Sequence, residues 1–338
     1  IAVWLGAGDE ADADALIVVV ELRDPRRHGV VRIGRQIVVA GALRPVHVDG
    51  VAGRAHLPQA FDLEAFGGLP VVPALGPNAY DWLVGTRLSR PIDRRGRARV
   101  GVGWMQRRER GELHTHEVAA DGAWQIAPHL DVSAAAAWDL VSVGLAEARV
   151  AASGSRGPLR VELFGTHRSA AHLLPATSLF SVLGDVPARR FGTAARWRAA
   201  PRLDVTATAA VRLVDDVVDE DLAAGCRLRL DDRGASSVGV ELRRQGAPQG
   251  GWSGARLMGR YAVAAAWTTS AEVELVVPDD RAGDDRDRGT VWPWALGAVT
   301  WRPSPQWEVA AAIEASASPE HVSRVDGLVR LSRAWGSP

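Results

Sequence analysis

The chain has 338 residues, a length that fits two ordinary domains or one large all-β domain. Its 40 basic residues balance 40 acidic ones, and no long run of one sign is present, which argues against a nucleic-acid partner. The single cysteine, Cys226, excludes an intramolecular disulfide framework and a cysteine-based zinc cluster. The longest apolar stretch near the start, residues 15–20, is far shorter than the ~20 residues that a membrane-spanning helix needs.

From about Ala15 onward, apolar and polar residues alternate between clusters of Gly, Pro and Asp. In chain order the alternation is clear at 99–104, 129–140, 159–163, 203–213 and 238–243. At 129–140, Leu130 and Trp138 share one face, whereas Asp131 and Asp139 lie on the other. Carried along the whole chain, this pattern predicts roughly 18 to 20 strands, within a range of roughly 16 to 20, each long enough to cross a membrane when tilted.

The connections between the predicted strands alternate between tight and long in the C-terminal half. Tight turns are predicted near Pro201, at 231–234 and at 302–305, and long loops at 168–191, 214–221, 245–252, 278–289 and 317–321. Long loops on one side and short turns on the other are typical of outer-membrane barrels. The sequence therefore predicts an all-β chain with one domain, residues 1–338, folded as a single up-and-down antiparallel transmembrane β-barrel.

The segment 172–184 differs from its surroundings, because Pro175 precedes apolar residues at helical spacing and Gly184 ends the run. It predicts a short helix within the long loop at about 168–191. If this loop folds into the lumen, Leu179, Phe180 and Leu183 would pack against the wall and set a constriction. An external lid is the alternative.

Many of the 13 tryptophans lie near predicted strand ends. Amphipathic indole rings suit the two membrane–water interfaces, whereas so many rings would crowd a single soluble core. The sequence therefore predicts an aromatic girdle. Its predicted members are Trp82, Trp104, Trp138, Trp252, Trp267, Trp301, Trp307 and Trp335.

Two segments resemble parts of known outer-membrane barrels. The stretch from Val325 to Trp335 resembles the last strand, with a near-terminal aromatic residue, by which barrel-assembly machinery recognises outer-membrane proteins. The triplet Gly34-Arg35-Gln36, followed by residues 48–51, looks like a strand and hairpin of alginate-export-type and related porin-like barrels. The resemblance implies a porin-like β-barrel in the outer membrane of a Gram-negative bacterium, with membrane lipid, lipopolysaccharide and barrel-assembly machinery as partners.

If the apolar faces of the strands contact lipid, the alternating polar faces line the lumen, and arginine outnumbers carboxylates there. The residues predicted to line the pore are Arg99, Arg107, Arg160, Glu162, Arg196, Arg198, Asp204, Arg212, Arg227, Arg229, Glu241, Arg243 and Arg256. A barrel of roughly 16 strands or more leaves an aqueous channel unless something fills it. The predicted function is a porin-like channel for passive diffusion of small hydrophilic solutes, with a preference for anions as a hypothesis.

Two other functions stay open: a non-conducting outer-membrane barrel, acting as a scaffold or as an enzyme with its site on surface loops, and a soluble all-β carbohydrate-binding protein. The chain has no Gly-x-Ser-x-Gly elbow, no Walker-type Gly-Lys pair and no dinucleotide fingerprint, so we expect neither an enzyme nor a cofactor. Glu112, His114 and His116 share a strand face, but without a further ligand nearby we expect no metal site. Whether the chain forms a homo-oligomer is left open.

Overall fold

The computed structural model describes residues 2–7, 11–26, 28–71, 81–93, 95–169, 188–214, 217–246, 251–279, 291–318 and 321–335. Within these residues the chain forms twenty strands and one short 3-10 turn, Pro58–Ala60. The strands are β1 Ala2–Ala7, β2 Ala11–Arg23, β3 Gly29–Val38, β4 Val46–Leu57, β5 Phe61–Pro70, β6 Trp82–Pro91, β7 Ala98–Glu109, β8 Glu112–Ala127, β9 Leu130–Asp139, β10 Gly144–Arg156, β11 Leu159–Arg168, β12 Ala188–Ala200, β13 Leu203–Val214, β14 Val217–Arg229, β15 Ser237–Gln245, β16 Trp252–Ala264, β17 Trp267–Pro278, β18 Trp292–Ser304, β19 Trp307–Ser318 and β20 His321–Arg333. In these ranges no helix is long and apolar enough to cross a membrane.

The strands form one closed antiparallel sheet. Each strand pairs with the next along the chain. The first strand also pairs with the last, from Ala2 opposite Arg330 to Ala7 opposite Val325. Closure removes the unpaired strand edges that an open sheet would present. The predicted up-and-down barrel is confirmed, and the described residues supply twenty strands.

The connections separate into two sets at the two ends of the barrel. The end that we call the loop end carries the connections after odd-numbered strands, including 39–45, 169–187 and 279–291. The opposite end, which we call the turn end, carries those after even-numbered strands, such as 201–202 and 305–306. The loops predicted at 214–221 and 317–321 are wrong in length, because β14 begins at Val217 and β20 at His321. Residues 217–221 belong to β14, where Asp219 and Asp221 face inward and Glu220 faces outward.

The two faces of the sheet differ sharply in polarity. The outer face exposes large apolar side chains on strand after strand, among them Val20, Val102 and Leu163, which are 51%, 60% and 61% exposed. The inner face buries polar side chains such as Glu117 and Glu274, both fully buried. A continuous apolar outer surface of this extent would be strongly unfavourable in water. The polarity is the reverse of a soluble barrel and is that of a transmembrane β-barrel.

Candidate functional site

Tryptophans mark both ends of the outer face. At the turn end, Trp267 and Trp301 stack with ring centroids 5.5 Å apart. Trp307 lies at the same end beneath the guanidinium of Arg333, and Trp335 follows β20 with 71% of its surface exposed. At the loop end, the exposed rings are those near the ends of β6 and β9. They belong to Trp82 and Trp138.

Two predicted girdle residues lie elsewhere. Trp104 faces outward from the middle of β7, where its Nε1 donates a hydrogen bond to Nε2 of His116 at 2.9 Å. Trp252 differs from the prediction, because it lies on the inner face at the loop end and is only 4% exposed. It packs there with Val276 and Trp294. Two outward, exposed tryptophans near the turn end are not among the predicted girdle residues: Trp124 and Trp197.

The register of the strands places all thirteen predicted pore residues on the inner face of the sheet. Several form ion pairs there: Arg256 contacts both Glu272 and Glu274, and Arg99 contacts Asp62. Pairs between neighbouring strands hold side chains against the wall and leave less charge toward the lumen. Three more of the predicted pore residues lie beside a charge of opposite sign. Arg107 pairs with Glu109, Glu162 pairs with Arg149, and Glu241 lies opposite Arg256 in the register.

Arginines concentrate on the inner wall at the turn end of β11–β14. Asp204, 5% exposed, accepts hydrogen bonds from Arg229 at 2.9 Å, Arg196 at 3.2 Å and Arg198 at 3.4 Å. Arg227 faces the same carboxylate in the register and has no ion pair with any residue that the structure describes. One carboxylate cannot neutralise four guanidinium groups. This part of the wall therefore carries a surplus of positive charge, to which Arg160, bonded to Ser153, adds a fifth arginine.

A segment that the sequence analysis did not single out lies inside the barrel. We call residues 39–45, between β3 and β4, the inward loop. Ala40 and Leu43 are 2% and 3% exposed and pack against inward-facing side chains of β5–β9. Leu43 lies over Gly103, where an added Cβ would come within 3.0 Å of Leu43 Cδ1. The wall residues in this cluster are Val46, Phe66, Leu83, Met105, Ala119 and Ala137.

Polar contacts fasten the inward loop to the wall. The backbone N–H of Arg44 donates to Oε1 of Glu117 at 2.9 Å, and its Nε donates to Oε2 at 2.8 Å. Beside them, Gly41 has a φ of +59°, and a Cβ there would overlap Arg87 and Asp121. Arg87 and Asp121 are themselves joined by two hydrogen bonds of 2.9 and 2.7 Å. The loop is thus held by a buried carboxylate and fits closely over an ion pair.

The inward loop narrows the lumen without spanning it. Besides β3 and β4, which it connects, it contacts five of the twenty strands. Twenty strands spaced ~4.8 Å apart and tilted by ~40° give a barrel radius of about 20 Å. A seven-residue segment reaches at most ~25 Å when extended. The predicted constriction residues Leu179, Phe180 and Leu183 lie outside the described residues, so the inward loop is the constriction element that can be placed.

The Gly-Arg-Gln triplet occupies β3 beside the inward loop. Gly34 has a φ of +120°, and a Cβ there would overlap the carbonyl oxygen of Val18. Arg35 faces outward, where it makes a two-point contact with Asp49 at 2.8 Å for each hydrogen bond. Gln36 faces inward and is 4% exposed. Arg35 shares the outer face with Ile33 and Ile37, so the charged pair lies on the outer face near the loop end.

The histidines of β8 do not converge. His116 bonds Trp104 on the outer face, whereas Nε2 of His114 lies 3.7 Å from a carboxylate oxygen of Glu109. The pairing of β7 with β8 shifts between Arg107 and Arg108, which breaks the regular alternation at this point. Across the described ranges no group of three or more His, Cys, Asp or Glu side chains could hold a metal ion.

Comparison with known proteins finds similarity only among solved structures. No protein-family model and no curated protein sequence matches the chain. A mutant of the Rh. blastica porin has 16% identity and a TM-score of 0.45, over 80% of this chain and 99% of the porin. A bacterial polysaccharide outer membrane secretin has 11% identity and a TM-score of 0.45, over 81% of this chain and 98% of the secretin. At this level of similarity neither structure assigns a function to the chain.

Proposed function

We propose that the chain is a porin-like channel in the outer membrane of a Gram-negative bacterium, through which small hydrophilic solutes diffuse passively. The observation that carries this proposal is the closed ring of twenty strands with an apolar outer face and a charged inner face. A barrel of this strand number is wide enough for an aqueous channel. The outer face suits membrane lipid and lipopolysaccharide, and β20 with Trp335 suits recognition by barrel-assembly machinery. We assign the chain no catalytic role.

The charges of the inner wall support a preference for anions. The arginines around Asp204 outnumber the carboxylates at the turn end of β11–β14. A surplus of positive charge raises the local concentration of anions and repels cations. The effect is screened over about 10 Å at 0.1 M salt and about 3 Å at 1 M. The preference should therefore be strong in dilute salt and weak in concentrated salt.

Single-channel recording tests both parts of this proposal. The protein, refolded in detergent, is inserted into a planar bilayer with a KCl gradient, and the reversal potential gives the ion selectivity. We expect stable conductance with a reversal potential that favours chloride and that shrinks at 1 M salt. Insertion without conductance would instead support the non-conducting barrel, acting as a scaffold or through its surface loops.

A pair of charge reversals tests whether the wall sets the selectivity. Arg227→Glu changes an inner-face charge that has no ion pair within the described residues. We expect it to reduce the chloride-to-potassium permeability ratio about twofold or more at 0.1 M salt. The control is Arg90→Glu, at an exposed outer-face position near the same end of the barrel. Equal effects of the two reversals would show that the wall does not determine selectivity.

A further inference from the structure

A cavity of about 440 Å³ opens in the inner wall near the loop end, along β10–β15. Five arginines and three carboxylates line it. At its centre lies Asp221, which is 2% exposed. The Nε of Arg190 lies 2.6 Å from one oxygen of this carboxylate, and an amino nitrogen of Arg243 lies 3.6 Å from the other. One carboxylate thus serves two guanidinium groups.

Neighbouring groups do not remove this surplus. Arg212, 3% exposed, lies beside the pair and donates to the carbonyl oxygen of Gly246 at 2.9 Å. Asp219 faces Arg212 across the β13–β14 pairing but does not line the cavity. Asp221 and Asp219 both oppose the charge of Arg212, so two carboxylates face the three guanidinium groups of Arg190, Arg212 and Arg243.

Aromatic rings fix the orientation of the two arginines. The guanidinium of Arg190 lies over Phe164 at 4.8 Å, and that of Arg243 lies over Trp252 at 5.7 Å. A stacked guanidinium is held by its face and keeps its in-plane N–H groups for an acceptor. Within the part of the chain that the structure describes, the buried Nε of Arg243 has no acceptor, and that of Arg190 is close to Asp221 but not aligned for a hydrogen bond. Buried donors without acceptors are unfavourable unless a ligand or water satisfies them.

We propose that this cavity binds a small phosphate-type oxyanion between the N–H groups of Arg190 and Arg243. Phosphate oxygens match the fork of donors on a guanidinium group and would accept hydrogen bonds from those N–H groups of the two arginines that Asp221 does not engage. The inference rests on the proposed function, since the anion would reach the cavity from the lumen. It deepens that function by giving the channel a saturable binding step for one class of solute.

Calorimetric titration of the detergent-refolded barrel with inorganic phosphate, at constant 0.15 M KCl, tests the site directly. We expect saturable binding at one site, weakened about tenfold or more by Arg190→Gln and by Arg243→Gln, since each substitution removes a charge-assisted contact. The matched control is Arg260→Gln, an inner-face arginine outside the cavity. Arg243→Lys keeps the positive charge but removes the planar pair of N–H donors, so it should also weaken phosphate binding. This variant is the test of the site if Arg243→Gln fails to fold.

Two results would overturn the inference. The first is no saturable binding by the unsubstituted protein. The second is an equal loss in all three glutamine variants, which would indicate diffuse attraction to the wall instead of a site. Planar-bilayer recording separates this outcome from failure of the channel. Saturable binding without conductance keeps the site and refutes the channel, whereas anion-preferring conductance without saturable binding keeps the channel and refutes the site.

Discussion

Gly34 shows how a single backbone conformation shapes the loop end of the barrel. Its φ of +120° is unfavourable for any residue with a Cβ, and the Cβ of an alanine would overlap the carbonyl oxygen of Val18. We expect Gly34→Ala to lower the free energy of unfolding by about 1–3 kcal/mol. Urea unfolding in lipid vesicles, followed by tryptophan fluorescence, measures the change.

Gly154→Ala is the control for this substitution. Gly154 lies in β10, and the nearest atom to its added Cβ would be the carbonyl oxygen of His129 at 3.8 Å, an ordinary contact. It should change the unfolding free energy little. If Gly34→Ala were equally mild, the backbone conformation of Gly34 would not be a constraint on the fold.

The direction of the side chains follows from alternation, but two residues show that residue type alone does not predict the face. The predicted pore residues share one face of the sheet, because a strand turns every second side chain to the same side. Arg35 is charged and faces outward, where Asp49 on the next strand balances it. Trp252 is large and amphipathic but faces inward, where Val276 and Trp294 cover it. In both cases alternation gives the face, since Arg35 is two residues from the outward Ile33 and Trp252 is four residues from the inward Arg256, whereas residue type alone points to the wrong face.

Among the connecting elements, the inward loop depends on Glu117, which is fully buried and accepts two hydrogen bonds from Arg44. We expect Glu117→Gln to release the loop for part of the time, because the amide is a weaker acceptor and removes the negative charge closest to Arg44. A cysteine at position 43 reports the release. In the Cys226→Ala background, Leu43→Cys should react slowly with a membrane-impermeant thiol reagent, because Leu43 is 3% exposed. Adding Glu117→Gln should speed labelling about tenfold.

Glu241→Gln serves as the matched control for the labelling experiment. Glu241 lies on the inner face of β15, away from the strands that hold the inward loop. It should leave the labelling rate of the cysteine unchanged. Equal rates with Glu117→Gln and Glu241→Gln would show that the buried carboxylate does not hold the loop in place.

The strands were predictable from the sequence, whereas the inward loop was not. Each strand carries its own alternation, so its presence can be recognised within a dozen residues or so. The inward loop contains Ala40, Gly41 and Leu43, an apolar composition that is unusual for an exposed turn and could have drawn attention. Its position nevertheless depends on Glu117, Gly103 and other wall residues far along the chain. Only the closed sheet brings these residues together.

At the scale of the whole molecule, alternation predicts the barrel and a range of strand numbers. The closed sheet contains twenty strands within the described residues. Two loops were predicted too long, because residues 217–221 belong to β14 and residues 317, 318 and 321 belong to β19 and β20. The end at which each connection lies followed from counting strands, since every strand of an up-and-down barrel reverses direction. The charge of the wall could be predicted from the sequence, but the sharing of Asp204 among three arginines could not, since it joins β12, β13 and β14.

Closure itself gives a test, because β1 is the strand that joins the two ends of the sheet. Both β2 and β20 run antiparallel to β1, so they run parallel to each other and cannot replace it with the same pairing. Deletion of residues 2–7 would leave backbone groups of β2 and β20 unpaired in lipid, at a cost of several kcal/mol for each group. In detergent gels a folded barrel migrates differently from the same chain unfolded by heating. We expect the deletion to abolish the band of the folded species in the unheated sample. Replacement of the same six residues by alternating Thr and Val keeps the backbone pairing and should preserve that species. A folded deletion variant would show that β1 is dispensable and that the barrel closes by another pairing.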